Sequence, residues 1–208
     1  YGSLLGDGCL MNRKSMPYFR ISQTKKRSEY IHHWQGLIGG KIYERIGGFN
    51  TIQESLYSRC WNQFYFIKRD CYINDKKVIN KNWLDKLTWI SLAYWFMDDG
   101  HLNNGKDKQE DRITFHTEGY PISEVKLLSD CLTNKFKLQN TITNPKKDYH
   151  IINLSSGSTK IFLKSVSKYI LPIFDYKLGR YKNILKIPIN KKNREYQRKR
   201  YFRSNKLS

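Results

Sequence analysis

Acidic residues are scarce in this chain. Asp and Glu number 18 against 38 Lys and Arg, a formal charge of +20 over 208 residues. Self-repulsion of that size is tolerable when the partner is a polyanion. Nucleic acid is the first candidate; an anionic membrane surface or an acidic protein comes after it, and a merely basic soluble domain is the bland alternative. Long apolar runs are also missing. None nears the roughly 20 residues of a membrane span, so no membrane partner is expected. The opening residues lack a signal-peptide pattern, and Tyr1 in place of an initiator Met implies that residues have been removed. Cysteine is limited to Cys9, Cys60, Cys71 and Cys131, none in a C-x-x-C pair, which argues against a zinc ribbon or redox motif. Scattered in this way they read as small core residues of a reducing compartment. The histidines (His32, His33, His101, His116, His150) form no H-E-x-x-H pair. Aromatics are not scarce. At 14%, with 39% hydrophobic residues overall, they argue against disorder and for one solid core or two small fused ones.

What is present is a weak internal duplication. "YGSLLGDGCL" opens at Tyr1 and "SLAYWFMDDGHL" at Ser91, each an apolar run ending in Asp-Gly. A polar stretch follows, then a period-2 strand. In "YFRISQ" Phe19 and Ile21 share one face and Arg20 and Ser22 the other; in "RITFHT" Ile113 and Phe115 oppose Arg112, Thr114 and His116. A helix comes next in each copy: "SEYIHHWQGLIGG", with Ser28 as its expected N-cap, and "PISEVKLLSDCLTNKF", with Val125, Leu128, Leu132 and Phe136 at helical spacing. Two more strands follow each helix, bridged at Gly47–Gly48 in the first copy and around Asn144–Pro145 in the second. Closing helices are expected near Trp61–Lys68 and Thr159–Tyr169.

The unit therefore reads α-β-β-α-β-β-α, used twice, an α+β fold of tandem repeats about a pseudo-two-fold axis. The division expected is 1–85 for the first repeat, its motif helix truncated at the N-terminal end, 86–186 for the second, and 187–208 for a basic tail. From Lys191 onward that tail sets eight Lys and Arg against Glu195 alone. A disordered tail and a helix lying along phosphates are equally good readings of it.

Each Asp-Gly sits behind an apolar helix, where a carboxylate meets the negative end of the helix dipole. A lone Asp-Gly is best read as a turn. Two in register ask for a shared cation, and a hard divalent ion with oxygen ligands would serve. Gly2 and Gly6, four apart, and Ala93 would let the two helices approach closely and bring Asp7 and Asp99 to the same end of their interface. Two carboxylates so placed suit metal-assisted phosphodiester hydrolysis.

These segments resemble the motif of the LAGLIDADG homing endonucleases, in the two-motif, single-chain form. "LAYWFMDDG" at Leu92–Gly100 aligns without gaps, Asp99 at the metal-binding acid and Gly100 last. "YGSLLGDG" aligns with Asp7 and Gly8 in those places, its first motif residue lying before Tyr1. The sixth position is Met97 in one copy and Leu5 in the other rather than an acid; Asp98 is an extra acid without an assigned role. "LTNKFKL", "YILPIFDYKL" and "DKKVIN" extend the similarity to about Lys177. The resemblance implies a DNA endonuclease cutting both strands of a long, nearly unique site, with 3′ overhangs. Each repeat would present a four-stranded antiparallel saddle sheet to double-stranded DNA. Asp7 and Asp99 would bind Mg2+, with Mn2+ as a substitute. A basic residue is implied near each metal: Lys177 in "DYKL", and Lys77 in "DKKV" with the adjacent Lys76 as the other register. Solvent-facing charge is the less favoured alternative for both lysines.

On the wet faces, Arg20, Arg45 and Arg59 suit guanine and Gln23, Gln53 and Asn153 adenine. Ser22, Arg112, Thr114 and His116 share the stripe, and Lys14, Lys41, Lys106, Lys146 and Lys147 suit phosphates. Any one of them alone is more simply a solvated residue, and a one-residue slip would exchange the faces. Two rivals use the same scaffold: an intron maturase, with intron RNA as partner, and a non-catalytic nucleic-acid-binding protein. Abundant Lys, Asn, Ile and Tyr suggest AT-rich coding DNA, hence an organelle, a mitochondrion before a chloroplast. A monomer with internal pseudo-symmetry, promoting mobility of its host intron, is the expected state.

Overall fold

The computed structural model describes residues 1–105 and 110–185. Lys106 and the basic tail therefore lie outside the described residues. The first series runs α1 (Gly2–Leu5), β1 (Cys9–Arg13), β2 (Met16–Thr24), α2 (Ser28–Ile38), β3 (Lys41–Ile46), β4 (Ile52–Cys60) and α3 (Asn62–Cys71). A short hairpin, β5 (Tyr72–Ile73) and β6 (Lys76–Lys77), and α4 (Lys81–Lys86) lead to the second. This runs α5 (Trp89–Asp99), β7 (Gly100–Asn103), β8 (Arg112–His116), α6 (Ile122–Phe136), β9 (Asn140–Lys146), β10 (Tyr149–Leu154) and α7 (Ser156–Val166). A 3-10 segment, Pro172–Tyr181, and α8 (Lys182–Leu185) follow.

The two four-stranded antiparallel sheets have the same strand order, β1-β2-β4-β3 and β7-β8-β10-β9. The fold is thus α+β, built twice on one plan. Alternation along the strands sets their faces. Phe19 and Ile21 are buried, as are Ile113 and Phe115, and the helices pack over that side. α5 has no polar stripe: Leu92, Ala93, Trp95, Phe96 and Met97 are all buried, and Trp95 stacks on Phe115 with centroids 3.9 Å apart. A helix apolar all round belongs in the middle of a core. α1 lies against it.

A capping box starts α5. Thr88 accepts from the Ser91 backbone N–H, and the Ser91 hydroxyl accepts from that of Thr88. Thr88→Ala removes one orphan N–H partner, so a loss of about 1 kcal/mol is expected. In a domain of this size a thermal melt should read that as a fall of about 2–4 °C.

Two local expectations change. α2 is capped by Arg27 without a side-chain bond, because a 3-10 turn (Lys25–Arg27) feeds straight into it; the Ser28 hydroxyl meets His32 instead. The β9–β10 turn falls at Lys147–Asp148, where Asp148 takes φ of 63°, and not at Asn144–Pro145. Pro145 stays within β9, which is an edge strand and can spare the N–H. The link between the series is ordered: Asn80 caps α4 by accepting from the Trp83 backbone N–H, and Trp83 is fully buried.

Candidate active site and nucleic-acid interface

α1 and α5 meet with almost nothing between them. A Cβ on Gly2 would lie 1.9 Å from the Ser91 carbonyl oxygen, and one on Gly6 2.5 Å from the Asp98 Cβ. This contact brings the two helix ends, and with them Asp7 and Asp99, into electrostatic reach of each other. Burial pushes the Asp99 carboxyl up to about 6, and the negative charge of Asp7 adds to it; Lys177, Lys77 and His116 oppose the rise. Asp7 is raised as well, again by burial. A hydrogen bond from Gln23 and the charges of Arg27, Lys177 and Lys77 pull the other way.

The lysines sit at the same ends. Lys177 donates from Nζ to the carbonyls of Phe96 (3.0 Å), Met97 (2.6 Å), Asp98 (3.3 Å) and Gly100 (2.9 Å), and so caps the last turn of α5. Lys77 donates to the Gly6 carbonyl at 3.1 Å. Gly6 and Asp98 each precede the motif Asp, so the two lysines take matched places. Both satisfy orphan carbonyls and set a cation on the negative helix end. Burial lowers both: Lys177, beside Arg27, falls to about 8. Lys76, the other register, is exposed.

The donors at this spot are carboxylate and carbonyl oxygens, which suit a hard cation that keeps several waters. Among the described residues no cluster of three or more His, Cys, Asp and Glu forms a closed cage. A substrate phosphate would have to complete the shell. Raised carboxyl groups have a further consequence. A carboxyl shifted up in the fold contributes stability that is present below the unfolded value, near pH 4, and lost as pH rises through about 6. In chelator, Asp99→Asn is therefore expected to be more stable than the parent at pH 7.5. Denaturant melts across pH should show that margin vanish towards pH 4.

Asp98, which had no expected role, is buried and accepts hydrogen bonds from Ser3 Oγ (2.9 Å) and Tyr30 OH (2.7 Å). It pins the first series to the second at the point where Gly6 leaves room. Arg27 was also missed. It donates to Gln23 Oε1 at 3.1 Å, and Gln23 in turn donates to Asp7. Gln23 must accordingly be corrected. It shares the face of Phe19 and Ile21, not that of Arg20 and Ser22, so it lies on the helix side of the sheet, buried and committed to Asp7.

The other face of the first sheet carries Arg20, Ser22, Lys41, Arg45 and Gln53; Arg59 lies in the β4 irregularity between Tyr57 and Cys60, where alternation breaks, and its exposed side chain sits beside Gly39 at the end of α2. Ser22 and Ser55 share a hydrogen bond, and Arg45 donates to Gln53. Tyrosines not singled out from the sequence stand among them. Tyr57 lies 5.5 Å from the Arg20 guanidinium and 5.5 Å from the Tyr43 ring, and Arg13 lies 5.0 Å over Tyr18. Interleaved Tyr and Arg along β2 and β4 was the signal available. In the second sheet a polar chain crosses all four strands: Asn103 to Thr114 (2.8 Å), Thr114 to Asn153 (2.6 Å), Asn153 to Thr143 (2.8 Å). Thr114 is buried within that chain, so Asn103 and Thr143 stand exposed at its ends. Arg112 is exposed on this face, and His116 pairs with Glu118 at 2.8 Å. Lys14 is exposed at the β1–β2 turn, and Lys146 and Lys147 at the β9–β10 turn.

Comparison with known proteins fits this geometry. The chain is 32% identical over 203 residues to the cytochrome b mRNA maturase bI2 of Saccharomyces cerevisiae, matching 87% of this chain but only 46% of that protein. It is 29% identical over 187 residues to the probable intron-encoded endonuclease 1 of Wickerhamomyces canadensis, covering 85% of this chain and 80% of the relative. The fold superposes on the homing endonuclease I-WcaI bound to its DNA recognition sequence with a TM-score of 0.74 at 28% identity, covering 85% of this chain and 82% of that one. Residues 1–162 match the pattern of the LAGLIDADG DNA endonuclease family. Two motif helices in contact, twin sheets of one strand order and this match together make the chain a member of the LAGLIDADG DNA endonuclease family.

Proposed function

We propose that this chain cleaves both strands of a long DNA target, with Asp7 and Asp99 as the catalytic carboxylates and metal ligands. The observation that carries this reading is the meeting of α1 and α5. It sets two helix-end carboxylates within electrostatic reach of each other, each with its own half-buried lysine. The residues fit Mg2+, with Mn2+ able to replace it. When bound, such an ion lends charge to the attacking and leaving oxygens of the displaced phosphate. Asp7, steadied by Gln23 and Arg27, and Asp99 hold that charge at the junction. Lys77 and Lys177 turn from helix-end carbonyls towards phosphate oxygens, where charge develops. The polar faces of the two sheets read base edges and phosphates on either side of the cut.

The finer reading follows the family resemblance: one monomer with two repeats, 3′ overhangs, and mobility of a host intron in an organelle, a mitochondrion first. Similarity to a relative named as a cytochrome b mRNA maturase supports intron RNA as a second partner of this chain.

The test is cleavage of a randomised supercoiled plasmid library in Mg2+, followed by mapping of the DNA ends. Discrete paired cuts with short 3′ overhangs support the reading. Tight binding of intron RNA, with no substrate cut in either ion, replaces it by the maturase reading. Duplex affinity is also expected to depend on salt. With roughly 6–10 phosphate contacts it should fall by about 10³–10⁵ between roughly 50 and 200 mM salt. A flat titration would remove the phosphate-bound sheets from the argument.

A further inference from the structure

α3 carries a second surface of a different kind. Its inner side is anchored: Phe64 packs 6.5 Å from Phe19, on the helix side of the first sheet, and Cys71 is fully buried. The outer side therefore faces away from Arg20, Tyr57 and their neighbours. That outer side is aromatic. Trp61 is 44% exposed, Tyr65 60% and Phe66 54%. Tyr65 meets Phe66 edge-on at 6.0 Å, and the Arg69 guanidinium lies 5.5 Å over the Phe66 ring. Asn62, Gln63 and Arg69 complete the exposed row.

Beside this row is a cleft of about 380 Å³ lined by Asn12, Ser15, Tyr65, Lys68, Arg69 and Asn74, among others. It contains one acid, Asp75, which Lys68 neutralises at 2.6 Å. Lys68 also donates to Asn12. Arg69 thus leaves the cleft with a net positive charge. Exposed rings set beside amides and an arginine match what unstacked bases need: flat faces to stack on, donors and acceptors for base edges, and a cation for phosphate. A duplex offers its bases edge-on within grooves and cannot stack on these rings.

We propose that the outer face of α3, with its adjoining cleft, binds single-stranded RNA, separately from the duplex-binding sheets. The charge of the chain selects a polyanion, and the exposed rings select one whose bases are free. The proposal does not require DNA cleavage, so the two readings fail independently.

The experiment uses the full 208-residue chain. One probe is a labelled single-stranded RNA of mixed sequence, about 20 nucleotides long, enough to exceed a typical single-strand site. The other is a duplex DNA of the same length. The paired variant Tyr65→Ala with Phe66→Ala is expected to lose RNA affinity by at least about tenfold, since one lost stacked base accounts for that. Its duplex affinity should stay within about twofold. Both side chains are more than half exposed, so the variant should fold, and a melt checks this. Arg69→Ala should weaken RNA binding in the same direction. Arg20→Ala should weaken duplex binding only. Equal loss for both probes, or none for RNA, overturns the proposal. A change in sedimentation of the parent with concentration that the paired variant abolishes also overturns it, because the face would then join two copies of the chain.

Discussion

Asp7→Asn and Asp99→Asn are each expected to lower double-strand cleavage by about 10³-fold or more while leaving DNA binding within a few-fold. Asparagine has nearly the shape of aspartate and keeps a carbonyl to receive the Gln23 amide that Asp7 accepts. What it lacks is the charge that holds a hard cation. Charge stabilisation of this kind is worth several kcal/mol, and about 4 kcal/mol corresponds to a thousandfold in rate. The sheets that grip the duplex are untouched, so gel shifts in chelator should barely move. Single-turnover digestion of a plasmid bearing the mapped site reads the rate. Nicked circles in one variant would mean that the intact centre still cuts its strand. Unchanged linear product from both variants would remove these carboxylates from the chemistry.

The largest effect on stability is expected at Gly2. A Cβ there would lie 1.9 Å from the Ser91 carbonyl oxygen, on backbone that cannot turn aside. Gly2→Ala therefore forces α1 and α5 apart, at about 3 kcal/mol, the upper part of the range for overpacked cores. A fall in melting temperature of about 6–12 °C should follow in a domain of this size. Gly6→Ala meets the Asp98 Cβ at 2.5 Å and disturbs its bonds to Ser3 and Tyr30, so it should act in the same direction. Gly36 provides the contrast. It is exposed within α2, with nothing within 4 Å of its missing Cβ, and Gly36→Ala should add up to about 1 kcal/mol of helix stability. If Gly2→Ala melted no lower than the parent, the close helix contact could not be as drawn.

Much of this molecule was open to reading along the chain. Alternation at Phe19/Ile21 and Ile113/Phe115 placed the buried sheet faces, and the Val125–Phe136 stripe placed α6, because period and burial are local properties. The paired Asp-Gly ends and the spacing of Gly2 and Gly6 pointed to the helix contact on which the site is built. One misplacement, and the questions left open, came where local rules leave two outcomes. Gln23, near the end of β2, is polar enough for either face. Lys76 and Lys77 differ by one residue in a short hairpin, and only the fold turns Lys77 to Gly6. Asp98 looked like surplus acid beside Asp99. Its partner Ser3 is 95 residues away in sequence, so nothing near it could reveal a buried carboxyl pinning the two series together. Sequence determined the repeated elements, the apolar motif helices and the basic charge, since each depends on composition and period. Tertiary structure decided which polar side chains became site, pin or surface, because that choice rests on contacts between residues distant in the chain.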